Sequence, residues 1–250
     1  MYSSCCILQL LQTNIMLQNQ SRESYTLFTY LLRSGTQCPL IIQLVGYNTN
    51  MYDKAIKHFK KSDPVLYKIA VSIEVQELIP VTNHFLKLVR SIVGQQLSIK
   101  AASTIYSRLE ELFPKGEITP ERILKMDKEK IRSCGISYSK IEYIKDLSEK
   151  VMDKHLDLEN INSLDNETII KNLTIVKGIG PWSAEMFLMF SLARPDVFST
   201  GDLGLKNAIK KHYKLDEISS EDLLTISAKW SPYRTYACLI LWKSLDNEPK

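Results

Sequence analysis

The sequence predicts an all-α protein over residues 51–250, built from about ten helices joined by short loops. Residue pairs that start helices recur along this part of the chain. Long runs of alternating apolar and polar residues, which indicate strands, are missing. Glycine is scarce, with nine in 250 residues, and no internal repeat or low-complexity tract interrupts the helical pattern.

Composition and charge narrow the class of protein. The chain is 44% apolar and 24% charged, which is ordinary for a soluble globular protein and excludes a disordered or collagen-like chain. No apolar run approaches the ~20 residues that span a membrane, so no membrane partner is expected. A net charge of +4 permits a nucleic-acid partner without requiring one. The five cysteines include no C-x-x-C pair, which argues against a metal centre and is typical of a reducing compartment.

Residues 1–50 differ in amino-acid composition from the rest of the chain. They contain only three charged residues, Arg22, Glu23 and Arg33. Their apolar stretch at 7–11 is short, lacks a basic leader and is interrupted by Gln9, so a secretory signal is not expected. We interpret residues 1–50 as a poorly ordered extension that folding and activity do not need, and residues 51–250 as the folded domain.

Several helix starts can be placed from their caps. Asp63-Pro64 and Thr119-Pro120 each combine an N-cap side chain with proline at the first helical position. Ser219 with Asp222 predicts a further start, with a carboxylate in the second position of a capping box. Ser139 with Glu142 predicts another capping box, and the helix behind it carries apolar residues near helical spacing, namely Ile141, Ile144, Leu147 and Val151.

The most informative segment is a glycine-containing turn between two apolar helices. The first helix is predicted to end at Val176, and Pro181 begins the second. Between them Gly178 and Gly180 flank Ile179, which would anchor the turn. Glycines allow close backbone approach, and the N-terminus of the second helix suits a phosphate. The pattern therefore predicts a helix–hairpin–helix that grips one DNA strand by its backbone, although an ordinary αα-turn explains the bare G-I-G equally well.

The helix after the turn is predicted over residues 181–193 and is apolar almost all round, which is typical of a central buried helix. Trp182 differs from the other apolar residues of this helix, because it lies at the N-terminal end beside the glycines. Further on, Gly201 makes a loop and a helix begins at Leu203, with Asp202 at its N-cap. Asp202 is either a simple cap or a carboxylate aimed into a cleft. Asp196 is the competing carboxylate, and its position after proline indicates turn chemistry.

Lysines recur at helical spacing after Asp202. Lys206, Lys210 and Lys214 stand at i, i+4 and i+8, which predicts one basic face. Such a face is usually only solvated, but beside a DNA cleft it would also contact phosphates.

Five ordered segments together resemble the DNA-3-methyladenine glycosylase II family of the helix–hairpin–helix glycosylase superfamily. They are Ser91–Ser98 (SIVGQQLS), Cys134–Lys140 (CGISYSK), Lys177–Phe187 (KGIGPWSAEMF), Asp196–Asp202 (DVFSTGD) and Trp230–Ala237 (WSPYRTYA). The resemblance covers about residues 51–247. It implies two helical lobes with the active-site cleft between them, in a compact form without the N-terminal β-domain of longer members.

The resemblance also implies roles for single residues. Asp202 matches the catalytic aspartate, and Trp182 stands where bifunctional relatives carry a Schiff-base lysine, so no covalent sugar adduct is expected. Gln96 matches the side chain that wedges into the duplex, and Trp242 matches an aromatic wall of the base pocket. The DNA-binding set is completed by the hairpin and the basic face, namely Lys177, Gly178, Ile179, Gly180 and Lys206.

The implied activity is that of a monofunctional glycosylase. Such an enzyme flips an alkylated purine, of the 3-methyladenine or 7-methylguanine type, out of double-stranded DNA and hydrolyses its N-glycosidic bond, which initiates base excision repair. We expect a monomer located with the chromosome and no cofactor; the superfamily alone suggests a monovalent cation at the hairpin. Two alternatives stay open: the same fold acting on uracil, mismatched thymine or deaminated purines, and a non-catalytic DNA-binding module.

Overall fold

The computed structural model of the chain describes residues 51–246, and within that range it contains α-helices and no strand. The proposed extension at residues 1–50 lies outside the described residues. None of the described helices is long and apolar enough to cross a membrane.

The helices are α1 (Met51–Ser62), α2 (Pro64–Ala70), α3 (His84–Gly94), α4 (Ile99–Glu111), α5 (Pro120–Lys125), α6 (Lys128–Ser133), α7 (Tyr138–Met152), α8 (Asn166–Thr174), α9 (Pro181–Phe190), α10 (Leu203–Tyr213), α11 (Ser220–Ala228) and α12 (Arg234–Asp246).

Most of the described helices pack in two groups and one separate pair, and the all-α prediction is confirmed. In the first group α5 and α6 pack on α7, and α3 packs on both α4 and α7. The second group joins α2, α10 and α12, while α8 packs against α9. Helix α7 lies at the centre of the first group because Ile141, Ile144 and Leu147 of its apolar stripe are fully buried. Val151, the last member of the predicted stripe, is only partly buried.

Three of the four predicted helix starts are confirmed. The side chains of Asp63 and Thr119 cap α2 and α5, each followed by proline. Ser219 and Asp222 form a reciprocal capping box at α11.

The predicted capping box at Ser139 is wrong. Helix α7 begins two residues earlier along the sequence than that box requires, with Ser137 as its N-cap. Packing decides between the two serines: Ile136 and Ile141 flank the first turn at the positions of a hydrophobic staple, and both are buried. Glu142 therefore faces outward and forms an ion pair with a lysine of α6 at 2.6 Å.

Helix α9 ends at Phe190, three residues before the predicted end. Ala193 adopts a left-handed conformation with φ of 51°. This turn lets the Arg194 N–H bond back to the Leu188 carbonyl at 3.0 Å. The helix therefore stops because the chain turns back on its last turn, before Pro195 is reached.

Asp63 ties the second helical group together. One oxygen of its carboxylate accepts the N–H groups of Val65 and Leu66, both at 3.1 Å, as an N-cap. The other accepts the Tyr213 hydroxyl and the Trp230 indole N–H, the latter at 2.9 Å. The side chain is buried, and burial together with this carboxylate raises the pKa of Tyr213.

We expect Asp63→Ala to lower the free energy of unfolding by about 3 kcal/mol, because it removes a helix cap and leaves two buried donors without a partner. Asp127→Ala is the matched control. Asp127 is an exposed N-cap that accepts two backbone N–H groups in the same way, so its loss should cost only about 1 kcal/mol. Urea denaturation measures both values, and equal losses would contradict a special role for the buried network.

Candidate active site

The carboxylate of Asp202 collects three N–H donors from three helices. One oxygen accepts the Leu205 N–H of α10 at 2.8 Å and the Trp242 indole N–H of α12 at 2.9 Å. The other accepts the Trp182 indole N–H of α9 at 2.7 Å. Only 9% of Asp202 is exposed. The structure thus brings together the three residues that the sequence predicts for catalysis and for the base pocket.

These contacts hold the carboxylate in a fixed place. The N-terminus of α10 and three N–H donors all point at its two oxygens. The indole N–H groups lie in the planes of their rings, so each bond orients a tryptophan without covering its faces. Trp182 is 48% exposed, whereas Trp242 stacks on Phe190 with ring centroids 6.0 Å apart. An aromatic face and an anion therefore stand side by side.

Gly204 is a site residue that sequence reasoning missed. A β-carbon at this position would lie 3.2 Å from Cδ1 of Trp242 and 3.1 Å from Oδ1 of Asp202. Glycine at this position therefore leaves room for the indole to reach the carboxylate. The only signal in the sequence is a glycine inside the first turn of a helix, where it is unfavourable.

The loop that carries Asp202 is fixed from two sides. Ser199 is fully buried and donates to the carboxylate of Glu185 on α9. Burial raises the pKa of Glu185 above its ordinary value, and the charge of Asp202 adds to that effect. Asp196, expected to serve turn chemistry, instead forms an ion pair with Arg234 at 2.7 Å. The two side chains tie both ends of the loop to helices and leave Asp202 as the carboxylate that faces the indoles.

A cleft of about 250 Å³ lies on the other side of Phe190, the ring on which Trp242 stacks, and its lining includes none of Asp202, Trp182 and Trp242. Helix α9 supplies an apolar wall that includes Phe190, the ring against which Trp242 stacks, together with Met186 and Phe187. Helix α3 supplies Lys87 and Arg90 on the other side, and neither forms an ion pair with a described carboxylate. A larger open groove of about 670 Å³ lies between α2, α10 and α12, and it is lined by none of the predicted site residues.

One buried hydroxyl in the cleft has no partner. Ser191 lines the cleft, and its Oγ makes no hydrogen bond among the described residues. An unsatisfied buried hydroxyl costs about 1–3 kcal/mol, and such groups often mark ligand sites. Tyr138 at the start of α7 does not line this cleft and hydrogen-bonds Glu129 instead.

The hairpin has the predicted form with shifted bounds. Helix α8 ends at Thr174, two residues before the predicted end, and α9 starts at Pro181 with Gly180 as N-cap. Ile179 is buried and anchors the turn. Lys177 is mostly exposed, and its backbone N–H donates to the buried carboxylate of Asp146 at 2.8 Å.

The two hairpin glycines serve different purposes. Gly178 has φ of +78°, and a β-carbon there would lie 2.1 Å from the ring of Tyr143. Gly180 has φ of −91°, and nothing lies within 4 Å of the place of its β-carbon. Gly178 is thus required by the fold itself, whereas Gly180 leaves a free surface for a ligand's backbone. The sequence alone does not distinguish the roles of these two glycines.

The loop that carries Gln96 lies beside the hairpin. Gln96 is exposed between α3 and α4 and has φ of 59°, a left-handed conformation that is uncommon for a residue other than glycine. Its neighbour Gln95 donates its side-chain amide to the Gly178 carbonyl at 2.8 Å. Gln96, the predicted wedge, therefore lies next to the hairpin that is predicted to bind the DNA backbone.

The predicted basic face is shorter than expected. Lys206 lies one turn after Asp202 on α10 and is partly exposed. Lys210 lies 3.7 Å from Glu217, and Lys214 caps the helix in a left-handed conformation with φ of 56°. The prediction is wrong for Lys214, because a left-handed turn takes it off the helical period.

A monovalent cation at the hairpin stays a prediction. The carbonyls of Val176 and Gly178 already accept hydrogen bonds from Ile179 and Gln95. Among residues 51–246 no cluster of three acidic, histidine or cysteine side chains could hold a metal.

Residues 89–232 match the family model described as "HhH-GPD superfamily base excision DNA repair protein". The chain is 36% identical over 166 residues to a Bacillus subtilis protein provisionally named a DNA-3-methyladenine glycosylase, covering 64% of this chain and 58% of that relative.

Two solved structures are similar to the model. The DNA-3-methyladenine glycosidase of Bacillus halodurans is 42% identical with a TM-score of 0.70, and 77% of this chain and 89% of that one are covered. The 3-methyladenine DNA glycosylase of Schizosaccharomyces pombe, solved with abasic DNA, is 33% identical with a TM-score of 0.68, and the coverage is 79% and 100%.

The different surroundings of the two hairpin glycines predict different results for two alanine variants. Gly180→Ala should leave the melting temperature nearly unchanged, because alanine fits the backbone and replaces glycine at an N-cap at a cost below about 1 kcal/mol. If the hairpin grips a DNA backbone, the added methyl group should weaken duplex binding about 5- to 10-fold, with or without damage. Fluorescence anisotropy at several salt concentrations measures this.

Gly178→Ala is the comparison variant. It should destabilise the fold, because alanine meets the Tyr143 ring and a left-handed backbone. Unchanged duplex affinity of a folded Gly180→Ala protein would refute the hairpin as a DNA contact.

Proposed function

The chain belongs to the HhH-GPD superfamily of base excision DNA repair proteins, and from that membership we propose that it is a monofunctional glycosylase of alkylated purines in duplex DNA. The observation that carries the proposal is the Asp202 carboxylate, held by two indole N–H groups, one of them from the half-exposed Trp182. The similarity to a glycosylase solved with abasic DNA supports duplex DNA as the partner.

Binding begins with the DNA backbone. The open surface at Gly180 and the N-terminus of α9 suit a phosphate, and Lys206 adds positive charge. The target nucleotide must leave the stack, which costs a few kcal/mol and less when the base is damaged. Gln96, exposed on its loop, fills the space that the nucleotide vacates.

The extruded base is held by aromatic faces. A 3-methyl or 7-methyl purine nucleoside carries a positive charge, and an indole face attracts such a cation by about 0.5–2 kcal/mol. Trp182 is the exposed indole beside the carboxylate, and Trp242 forms the second wall. Lys87 and Arg90, which line the cleft beside Phe190, offer positive charge to a flanking phosphate.

Asp202 then acts on the sugar. When the glycosidic bond breaks, its electron pair leaves with the base, which becomes neutral, and the sugar becomes an oxocarbenium-like cation. The carboxylate stabilises that cation and directs water onto the sugar carbon, and the water loses its proton to Asp202 or to solvent. No strong acid is needed because the charged base is already a good leaving group. We propose that the protein acts as a monomer and without a cofactor.

Asp202→Asn tests the chemistry. We expect single-turnover release of methylated bases to fall at least about 100-fold, because an amide cannot stabilise the sugar cation. Stability should fall by about 1–2 kcal/mol, since the amide NH2 must face one of the two indole N–H donors. Affinity for an abasic-site duplex should persist. The matched control is Asp165→Asn at the exposed N-cap of α8, which should change neither activity nor DNA affinity. Base release at the parental rate by Asp202→Asn would contradict the proposal.

The product distinguishes hydrolysis from lyase chemistry. Because tryptophan occupies position 182, borohydride should trap no covalent complex with the parent enzyme. The product should be an intact abasic site that breaks only after alkali or heat. Chromatography of the released bases identifies the lesion range, and release of only uracil, thymine or hypoxanthine would favour the alternative substrate class.

A further inference from the structure

We propose that Gln95 is a positioning residue that couples the wedge loop to the hairpin. It keeps the loop that extrudes the base at a fixed distance from the segment that binds the DNA backbone. The wedge loop is defined here as residues 95–98, between α3 and α4. The inference rests on the proposed function and adds a residue to it that touches neither the base nor the sugar.

The direct link is a single hydrogen bond across 83 residues of sequence. The Gln95 side-chain amide donates to the Gly178 carbonyl at 2.8 Å. Gly178 is the hairpin residue with positive φ, and a shift of its carbonyl would move the turn that presents Gly180. Gln95 is half-buried, whereas Gln96 beside it is exposed. Of two neighbouring glutamines, one therefore faces the protein and the other faces outward.

Lys140 of α7 holds the backbone of Gln95. Its ammonium donates to the Val93 carbonyl at 2.9 Å and to the Gln95 carbonyl at 2.6 Å. It thereby satisfies carbonyls at the C-terminal end of α3, where a cation is favourable. Burial lowers the pKa of this lysine, which fits an ammonium held against backbone rather than in solvent.

The same face of α7 holds the hairpin. Tyr143 lies beneath Gly178, and Asp146 accepts the Lys177 N–H at 2.8 Å while Lys150 pairs with its other oxygen at 2.8 Å. Burial alone would raise the pKa of Asp146, but these hydrogen bonds lower it below its ordinary value. The carboxylate thus stays charged at neutral pH.

A closed ring of contacts results. Helix α7 holds the wedge loop through Lys140, the wedge loop holds the hairpin through Gln95, and the hairpin returns to α7 through Tyr143 and Asp146. Gln95 is the only one of these side chains that joins the two DNA-facing segments directly. A left-handed residue such as Gln96 persists only where its surroundings fix it, and this ring supplies the fixation.

Gln95→Leu is the test, because leucine is similar in size and cannot donate. Two duplexes carry the same 7-methylguanine, one opposite cytosine and one opposite thymine. Single-turnover release from the paired lesion should fall at least about 10-fold, whereas release from the mispaired lesion should fall less than about 3-fold, because a mispaired base is more easily extruded. Binding to undamaged duplex should stay within about 2-fold, since Tyr143 and Asp146 still hold the hairpin.

Two further variants guard against a general loss of structure. Gln76→Leu, at an exposed glutamine outside this ring, should match the parent on both duplexes. Lys140→Met should repeat the pattern of Gln95→Leu, and Lys140→Arg should restore most of the activity because it keeps the donors.

Unequal loss on the two duplexes supports the coupling. Equal loss on both duplexes, or parental release from the paired lesion, overturns it. Failure of the parent enzyme to release the base from either duplex overturns the proposed function itself, and with it this inference.

Discussion

The Asp202 carboxylate is the interaction on which the site depends, because it joins α9, α10 and α12 at one point. Trp182 is the second residue of α9, and Gly180 is the N-cap of that helix. Only one helical turn therefore separates the surface that would accept a phosphate from the donor that orients the carboxylate. A movement of the hairpin would therefore reach the Asp202 carboxylate over a short path, and the proposed function requires such close positioning.

The molecule uses a second aspartate in nearly the same way, and the comparison explains why only one is a candidate catalyst. Asp63 and Asp202 are both N-caps that accept a tryptophan N–H. Asp63 accepts hydrogen bonds from four donors, including Tyr213, and is 3% exposed. Its carboxylate therefore has a purely structural role. Asp202 receives three donors and adjoins a half-exposed indole. The same N-cap arrangement is thus saturated at Asp63 and left partly open at Asp202, which is why Asp202 alone is the proposed catalyst.

Helix α7 holds both the wedge loop and the hairpin, although it supplies none of the predicted site residues. Its buried apolar stripe fixes it in the first helical group, and a polar stripe of Lys140, Tyr143 and Asp146 faces the two DNA-facing segments. A buried carboxylate is stable there because a backbone N–H and an ammonium both satisfy it. Tyr143 and Asp146, which hold the hairpin, therefore lie outside the five segments that carry the family resemblance, whereas Lys140 ends one of those segments.

The sequence by itself determined the helical class, most of the caps, the hairpin and the place of Asp202 at a helix start, because each depends on residues within about four positions of one another. Where two local solutions compete, as with Ser137 and Ser139, burial of the flanking isoleucines decided. The tertiary structure alone brought Gln95 to the hairpin across 83 residues and Trp242 to Asp202 across 40. No local pattern encodes such pairs, since a side chain's hydrogen-bond partner in another helix follows from how the helices pack.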